Sequence, residues 1–312
     1  MKLDGPQFAT LTGLAVGDAL GMPFEGMSIV DKPLREWNGW FEYGERLNLQ
    51  AGQWTDDTQM ATALAESLLA EKTYSPADAA RRYLAWHTSG DCRGQGGSTG
   101  KALRKLKGGY TWMQSATPGS EGNGTAMRIA PLGLFFHGNV DAAARMAAVD
   151  ARITHGSEEA AVGAMAISVA VAMLAQRSAV KDNLLYKVTE WTGPTKTQVH
   201  GRICNALVAL NRDISSKDKV IKILIDLGTG GHIVQTVPAA LFAFAATTNF
   251  RDAVEVAVRA GGDTDTTAAI TGALAGTFYG IKEVAYYLEK LEGAEHLRAL
   301  ERCLYAEGPT VY

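Results

Sequence analysis

WTDDTQMATALAESLLAEK, residues 54 to 72, decides the fold class. From Asp57 onward its apolar residues recur close to every 3.6 positions, the period of an amphipathic helix. Thr55, Asp56 and Asp57 crowd the point where that helix begins. One acid suffices to cap a helix, because a side-chain oxygen accepts an orphan backbone N–H and negative charge suits the N-terminus. The second acid is surplus to that task and points to a further role.

Outward from this stretch the same period returns in SPADAARRYLAWH, VDAAARMAAVDARIT, SEEAAVGAMAISVAVAMLAQ and NFRDAVEVAVRA, with Asp, Ser or Asn at helix starts. Alternating strand patterns are almost absent. Gly and Pro punctuate the connections, as in TGP at 192 to 194 and GTGGH at 228 to 232, but none is a long Pro- or Ser-rich linker. The expectation is one compact all-α domain over residues 1–312. A long irregular region is expected from Ser89 through GDCRGQGGSTG and again from Lys107 to Gly124.

Composition narrows the function. The 312 residues are 46% hydrophobic, enough for a large core, and 30 Lys plus Arg against 33 Asp plus Glu leave a net charge of -3. That balance gives no global field to gather nucleic acid or an anionic membrane, so any anion is held locally. Cys92, Cys204 and Cys303 have no C-x-x-C spacing and signal neither a disulfide framework nor a zinc site. The opening MKLDGPQFATLTG lacks a secretory apolar run. The apolar stretches near 160–175 and 236–246 fall short of the ~20 residues of a membrane span and are expected as buried helices. Together these give the expectation of a cytoplasmic protein.

The opening motif is written a second time in AGGDTDTTAAITGALAG, where Asp263, Asp265 and Thr266 precede a helix of small residues after a glycine pair. Acids and threonines are hard oxygen donors that suit magnesium, manganese or calcium. A calcium EF-hand loop starting at Asp263 fails, because its sixth and twelfth positions are Ala268 and Leu274 instead of Gly and Glu. If Asp56, Asp57, Asp263 and Asp265 converge, four neighbouring carboxylates resist ionisation unless cations offset them, and two divalent ions balance four charges. The plainer alternative is a pair of unrelated acidic helix caps. GGSTGK at 96 to 101 resembles part of a phosphate-binding G-x-x-x-x-G-K-[ST] loop but misses it at Gln95 and Ala102, and the basic KALRKLK at 101 to 107 reads as a solvated helix face.

Five motifs in order make the chain resemble the ADP-ribosylglycohydrolases: GLAVGDALGMPFEG at 13 to 26, WTDDTQM at 54 to 60, GNGTAMRIAPLG at 122 to 133, THGSEEAAVGA at 154 to 164 and GGDTDTTAAITGALAG at 261 to 276. The resemblance spans nearly the whole chain. It implies a compact helical hydrolase with a binuclear magnesium or manganese centre that releases ADP-ribose from modified proteins or small molecules.

Residue by residue, the resemblance implies that Thr55, Asp56 and Asp57 ligate one cation and that Asp263, Asp265 and Thr266 complete the second. Glu25 is implied at the metal centre, in coordination and proton transfer, with Asp263 as a further candidate for the proton. Asp56 and the segment Gly122, Asn123, Gly124, Thr125 and Met127 are implied to hold ADP-ribose, as is His155. Asp18 is expected to bond backbone near the centre, and Arg128 to form a buried structural ion pair. Asp91 stands where arginine-directed members carry an aspartate and is a further catalytic candidate, a carboxylate that the glycine-rich loop could bring over the bound ribose, although DCRGQGGST departs from the usual run there and a turn-forming role in SGDC is the alternative. The expected activity is metal-dependent hydrolysis of a link between ADP-ribose and a protein side chain, arginine above others. A non-catalytic ADP-ribose binder and a metal-dependent phosphohydrolase are the rival classes.

Overall fold

The computed structural model describes residues 8–309, and these form helices joined by turns, with only three isolated β-bridges and no strand among the described residues. The all-α expectation holds. At the centre, helix Thr10–Gly21 runs antiparallel against helix Thr264–Tyr279, and every residue of the first is buried. Gly13, Gly17 and Gly21 recur every fourth position and so share one face. A Cβ at any of them would collide with the backbone carbonyls of Gly272, Ala268 and Thr264 respectively. The absence of side chains there lets two backbones touch, which larger residues would forbid.

Around this pair the other helices complete one continuous apolar core running from Ala9 to Leu304. Helix Glu158–Gln176 lies within it against helix Val140–Thr154. By length and mean hydropathy (19 residues, 1.6) it could cross a membrane, contrary to the reading that it is too short, but 83% of the apolar window is buried inside the molecule. Burial among other helices accounts for its composition. Helix Ile233–Ala245 is buried beside it, as expected.

Helix starts are capped in more than one way. Ser75, Asn139, Ser157 and Asn249 cap their own helices by accepting the backbone N–H of Asp78, Ala142, Ala160 and Asp252. Others receive carboxylates from a distance, as the start of helix Gln198–Ala209 does from Glu159 at 2.8 Å. Glu301, on helix Ala294–Glu307, accepts the N–H groups of Leu11 and Thr12 at 3.2 Å each and the Thr12 hydroxyl at 2.8 Å. Asp18 accepts Thr55 N–H at 3.0 Å, Thr58 N–H at 3.1 Å and both threonine hydroxyls, at 2.9 and 2.6 Å, at the start of helix Asp56–Glu71. The structural role expected for Asp18 is the one observed.

The irregular stretch after Ser89 is shorter than expected, because GGSTG is not loop: helix Gly97–Lys107 begins there. Its basic residues Arg104, Lys105 and Lys107 gather in the last turn, where cations suit the helix dipole.

Two measurements check this packing. Gly17→Ala is expected to lower stability by ~1–3 kcal/mol through overpacking, whereas Gly201→Ala, exposed in helix Gln198–Ala209 with open space around it, gains roughly 0.5–1 kcal/mol from helix propensity; urea titration of both variants reads the contrast. Burial outweighs the hydrogen bonds at Glu301 and pushes its carboxyl up to about 8. The folded chain then holds a proton that the unfolded chain has lost, so this contribution to stability is full below the unfolded pKa and is lost as pH rises through the folded one. Glu301→Gln is expected to flatten the decline in melting temperature between about pH 5 and 8.

Candidate active site

The two N-termini that carry the acids open on one cleft of about 270 Å³. Asp56 and Asp57 enter it from the first turn of helix Asp56–Glu71, and Asp263, Asp265 and Thr266 from the start of helix Thr264–Tyr279. Neither group serves as a cap in its own helix: Thr55 and Asp263 occupy the cap positions and make no side-chain cap bond. Because Asp18 already satisfies the start of helix Asp56–Glu71, the acids there are free for another task. The alternative of two unrelated acidic caps is therefore not what the geometry shows.

Loops lock the second acid group in place. Gly261 and Gly262 adopt φ of +75° and +80°, the left-handed region that favours glycine. Gly262 exchanges backbone hydrogen bonds with the turn after Glu25, through Gly26 N–H to its carbonyl (2.7 Å) and its own N–H to Met27 (2.8 Å). Asp263 N–H donates to Thr229 at 2.7 Å, and its carboxylate accepts from Asn123 Nδ2 at 2.8 Å. Asn123 also donates to the Thr236 hydroxyl at 3.0 Å, so one amide ties three segments together.

The electrostatics are severe. Burial, followed by the charge of Asp18, pushes the Asp56 carboxyl up to about 7, and the same two causes raise Asp57 well above the carboxylate range. Asp265 is raised likewise, by burial and then by Asp263. Asp18 itself is pushed up to about 6 by burial, which its hydrogen bonds from Thr55 and Thr58 only partly offset. Asp57 Oδ1 is buried with no hydrogen-bond partner among the described residues, while Oδ2 accepts from Thr55 at 3.3 Å and Thr266 at 3.4 Å. An orphaned carboxylate oxygen among raised acids is a position that a cation relieves. No three acidic, histidine or cysteine side chains among the described residues already close on one point with ligand spacing, so the fit rests on donor chemistry and charge.

The opposite wall is Gly122, Asn123, Gly124 and Met127, with His155 behind them. A Cβ on Gly122 would sit 3.1 Å from His155 Nε2 and one on Gly124 3.0 Å from Cε1, so glycine lets this backbone lie against the ring. Burial and then the Arg128 charge lower the His155 pKa to about 3, which keeps the ring neutral. Arg128 is fully buried and bonds Asp150 through Nε at 2.9 Å, as expected of a structural ion pair, and it also holds the Gly124 carbonyl at 3.0 Å. That contact gives it a part in the site's shape.

Three residues read as site residues stand elsewhere. Thr125 turns its hydroxyl to the Ala160 carbonyl at 2.8 Å and is absent from the cleft wall. Thr55 is fully buried behind it, its hydroxyl spent on Asp18 and Asp57. Asp91 is drawn outward by Arg93, at 3.0 Å, with its side chain 63% exposed, so it does not reach over the cleft. Glu25 lines the rim and pairs with Arg46.

Gly94, Gly96, Gly97, Ser98, Thr99 and Gly231 also line the cleft and were not foreseen. The Gly94 to Thr99 stretch is fixed by Arg93, whose carbonyl accepts Asp56 N–H at 2.7 Å and whose side chain lies over Trp54. A glycine pair followed by Ser-Thr and an amphipathic run is the signal for a helix start that the sequence offers here.

The family model for ADP-ribosylglycohydrolase matches residues 8–311. An ADP-ribosylarginine hydrolase Tri1 of Pseudomonas putida is 28% identical over 96% of this chain and 78% of its own. An ADP-ribosylhydrolase ARH3 of Gallus gallus is 27% identical over 88% of this chain and 85% of its own. A solved structure described as an ADP-ribosylglycohydrolase-related protein complex superposes with a TM-score of 0.79 at 30% identity, covering 96% of this chain and 97% of the other. With its five motifs gathered round one acidic cleft and its whole described length matched, the chain belongs to the ADP-ribosylglycohydrolase family.

Proposed function

We propose that this hydrolase cleaves the glycosidic link between ADP-ribose and an arginine side chain of a modified protein, and that two divalent cations, magnesium or manganese, serve it. The observation that carries the reading is the cleft itself: four aspartates from two helix N-termini, with no lysine or arginine among the lining residues. With the aspartates' charge offset by the cations, the lining still holds no basic side chain to repel a cationic guanidinium leaving group, and the similarity to an arginine-directed relative agrees with that linkage.

Asp56, Asp57, Asp263, Asp265 and Thr266 would hold the cations, with Thr55 bracing Asp57 from behind. Bound there, divalent ions supply Lewis-acid polarisation of oxygen and offset the charge of the aspartates. The chain's own residues do the rest. Asn123 holds the Asp263 carboxylate in one orientation, and Asp18 fixes the turn carrying Asp56 and Asp57. Gly122, Gly124 and Gly96 offer backbone close to the oxygen-rich substrate, beside a neutral His155 that adds no charge. Glu25, at the rim, or Asp263, on the floor, takes the proton from the attacking water and returns it to the leaving nitrogen as oxocarbenium character decays. The sequence features agree with a cytoplasmic setting in which the partner is an ADP-ribosylated protein.

Two experiments test this. Chelation, and separately Asp57→Asn or Asp265→Asn, is expected to lower release of ADP-ribose from ADP-ribosyl-arginine by at least about a hundredfold. In the same variants added magnesium or manganese should no longer raise the melting temperature, because an ion that binds only the folded state stabilises it in proportion to its occupancy. Full turnover under chelation would exclude the cation role. A panel of arginine-, serine- and acetyl-linked ADP-ribose then reads the linkage. Fastest turnover of the arginine substrate supports the proposal, preference for serine reassigns the linkage, ADP-ribose binding without release indicates a binder, and AMP as product indicates a phosphohydrolase.

A further inference from the structure

Away from the cleft, helix Gln198–Ala209 carries His200 and Cys204 four residues apart, and hence on one face. Cys204 Sγ lies 3.5 Å from His200 Nε2. The other ring nitrogen, Nδ1, is 2.9 Å from the hydroxyl of Thr192, which is fully buried at the end of helix Lys181–Thr192. That hydroxyl donates its single proton to the Val188 carbonyl at 3.1 Å. With its proton given to that carbonyl, the hydroxyl accepts from the ring, and in this arrangement Nδ1 carries the ring proton and the lone pair of Nε2 faces the thiol. Thr192 thus holds one ring nitrogen while the other lies against the thiol.

The other two cysteines lack this arrangement. Cys92 gives its thiol proton to the Trp86 carbonyl at 3.2 Å, and burial, with Asp91 and Asp56 adding to it, raises its pKa. Cys303 is exposed on helix Ala294–Glu307 and has no hydrogen-bond partner among the described residues, whereas Cys204 is half-buried. Exposure alone would make Cys303 the most reactive thiol. A base in contact with a thiol reverses that order, because the thiolate is the nucleophile and a neighbouring imidazole can take its proton as the bond forms.

We propose that Cys204 is a covalent modification site, primed by His200 for addition to soft carbon electrophiles of the α,β-unsaturated carbonyl class. In that step the Sγ proton passes to His200 Nε2 and an S–C bond forms at the β-carbon. The C=C π pair moves to the α-carbon, which then takes the proton back from Nε2. Nothing leaves, no oxidant or reductant is needed, and the imidazole ends neutral. Thr192 is the positioning residue, acting through the ring.

The test uses the whole protein and N-ethylmaleimide near neutral pH, with adducts at each cysteine followed by peptide mass spectrometry. Cys204 is expected to label about tenfold faster than Cys303, a modest share of what a positioned base can provide. In denaturant all three cysteines should label alike, which assigns the difference to the fold. His200→Gln is expected to bring the Cys204 rate down to or below that of Cys303, and Thr192→Val, which leaves the ring in place but frees its tautomer, to lower it part of the way. Labelling of Cys303 as fast as Cys204 in the unaltered protein overturns the proposal. So does an unchanged Cys204 rate in both variants, and Thr192→Val keeps that second outcome readable if His200→Gln fails to fold.

Discussion

The backbone contact between helices Thr10–Gly21 and Thr264–Tyr279 is the constraint on which the rest depends. It joins segments more than two hundred residues apart with almost no side chain between them. Because the helices are antiparallel, Gly21 meets Thr264, and the hydroxyl of Thr264 donates to the Gly21 carbonyl at 2.7 Å. The end of one helix is thereby set against the start of the other, within a turn of Asp18, Glu25, Asp263 and Asp265. A wider separation would move two acids relative to the other two and open the cleft they share. Close packing of small residues here sets distances in the site as well as contributing to the core.

Gathering carboxylates in a buried place works against folding, and the structure shows how the cost is borne. Acids that would relax by capping their own helices are denied that outlet, since Asp18 fills the role at Thr55 and Thr58. Asn123, Thr266 and the Gly96 backbone each offer a hydrogen bond to one aspartate, and Asp57 Oδ1 is left with none among the described residues. The site is strained electrostatically while its surroundings, largely alanine, glycine and threonine, remain tightly packed. Such local cost at a functional centre is tolerable when the scaffold around it is rigid.

Much of this was legible because it is written locally. Helices that begin at Ser75, Ser157 and Asn249 carry both their caps and their periodicity in adjacent residues. The paired acid motifs were legible as a surplus over what caps require. What escaped was set by contacts distant in sequence. Nothing near Thr125 announces that its hydroxyl belongs to Ala160, and nothing near Arg93, the neighbour that draws Asp91 outward, announces that Glu292 two hundred residues on holds it in place. The Gly96 to Thr99 wall was hidden for another reason. Glycines read as loop on propensity, and only the packing of the following amphipathic turns makes them the first turn of a helix.

Floor and rim of the cleft differ in how firmly they are held, and this difference bears on specificity. Floor residues are fixed by buried hydrogen bonds and by the Arg128–Asp150 pair, neither member of which is exposed. At the rim, Glu25 is paired with Arg46, and neither member is buried. Ion pairs of that kind contribute only about 0–1 kcal/mol and are readily rearranged. A chain built this way can keep the geometry of the cleft floor constant while the groups at its rim change. On that argument the linkage is decided by the least tightly held part of the site, which is why similarity to relatives with differently named activities is compatible with one shared floor.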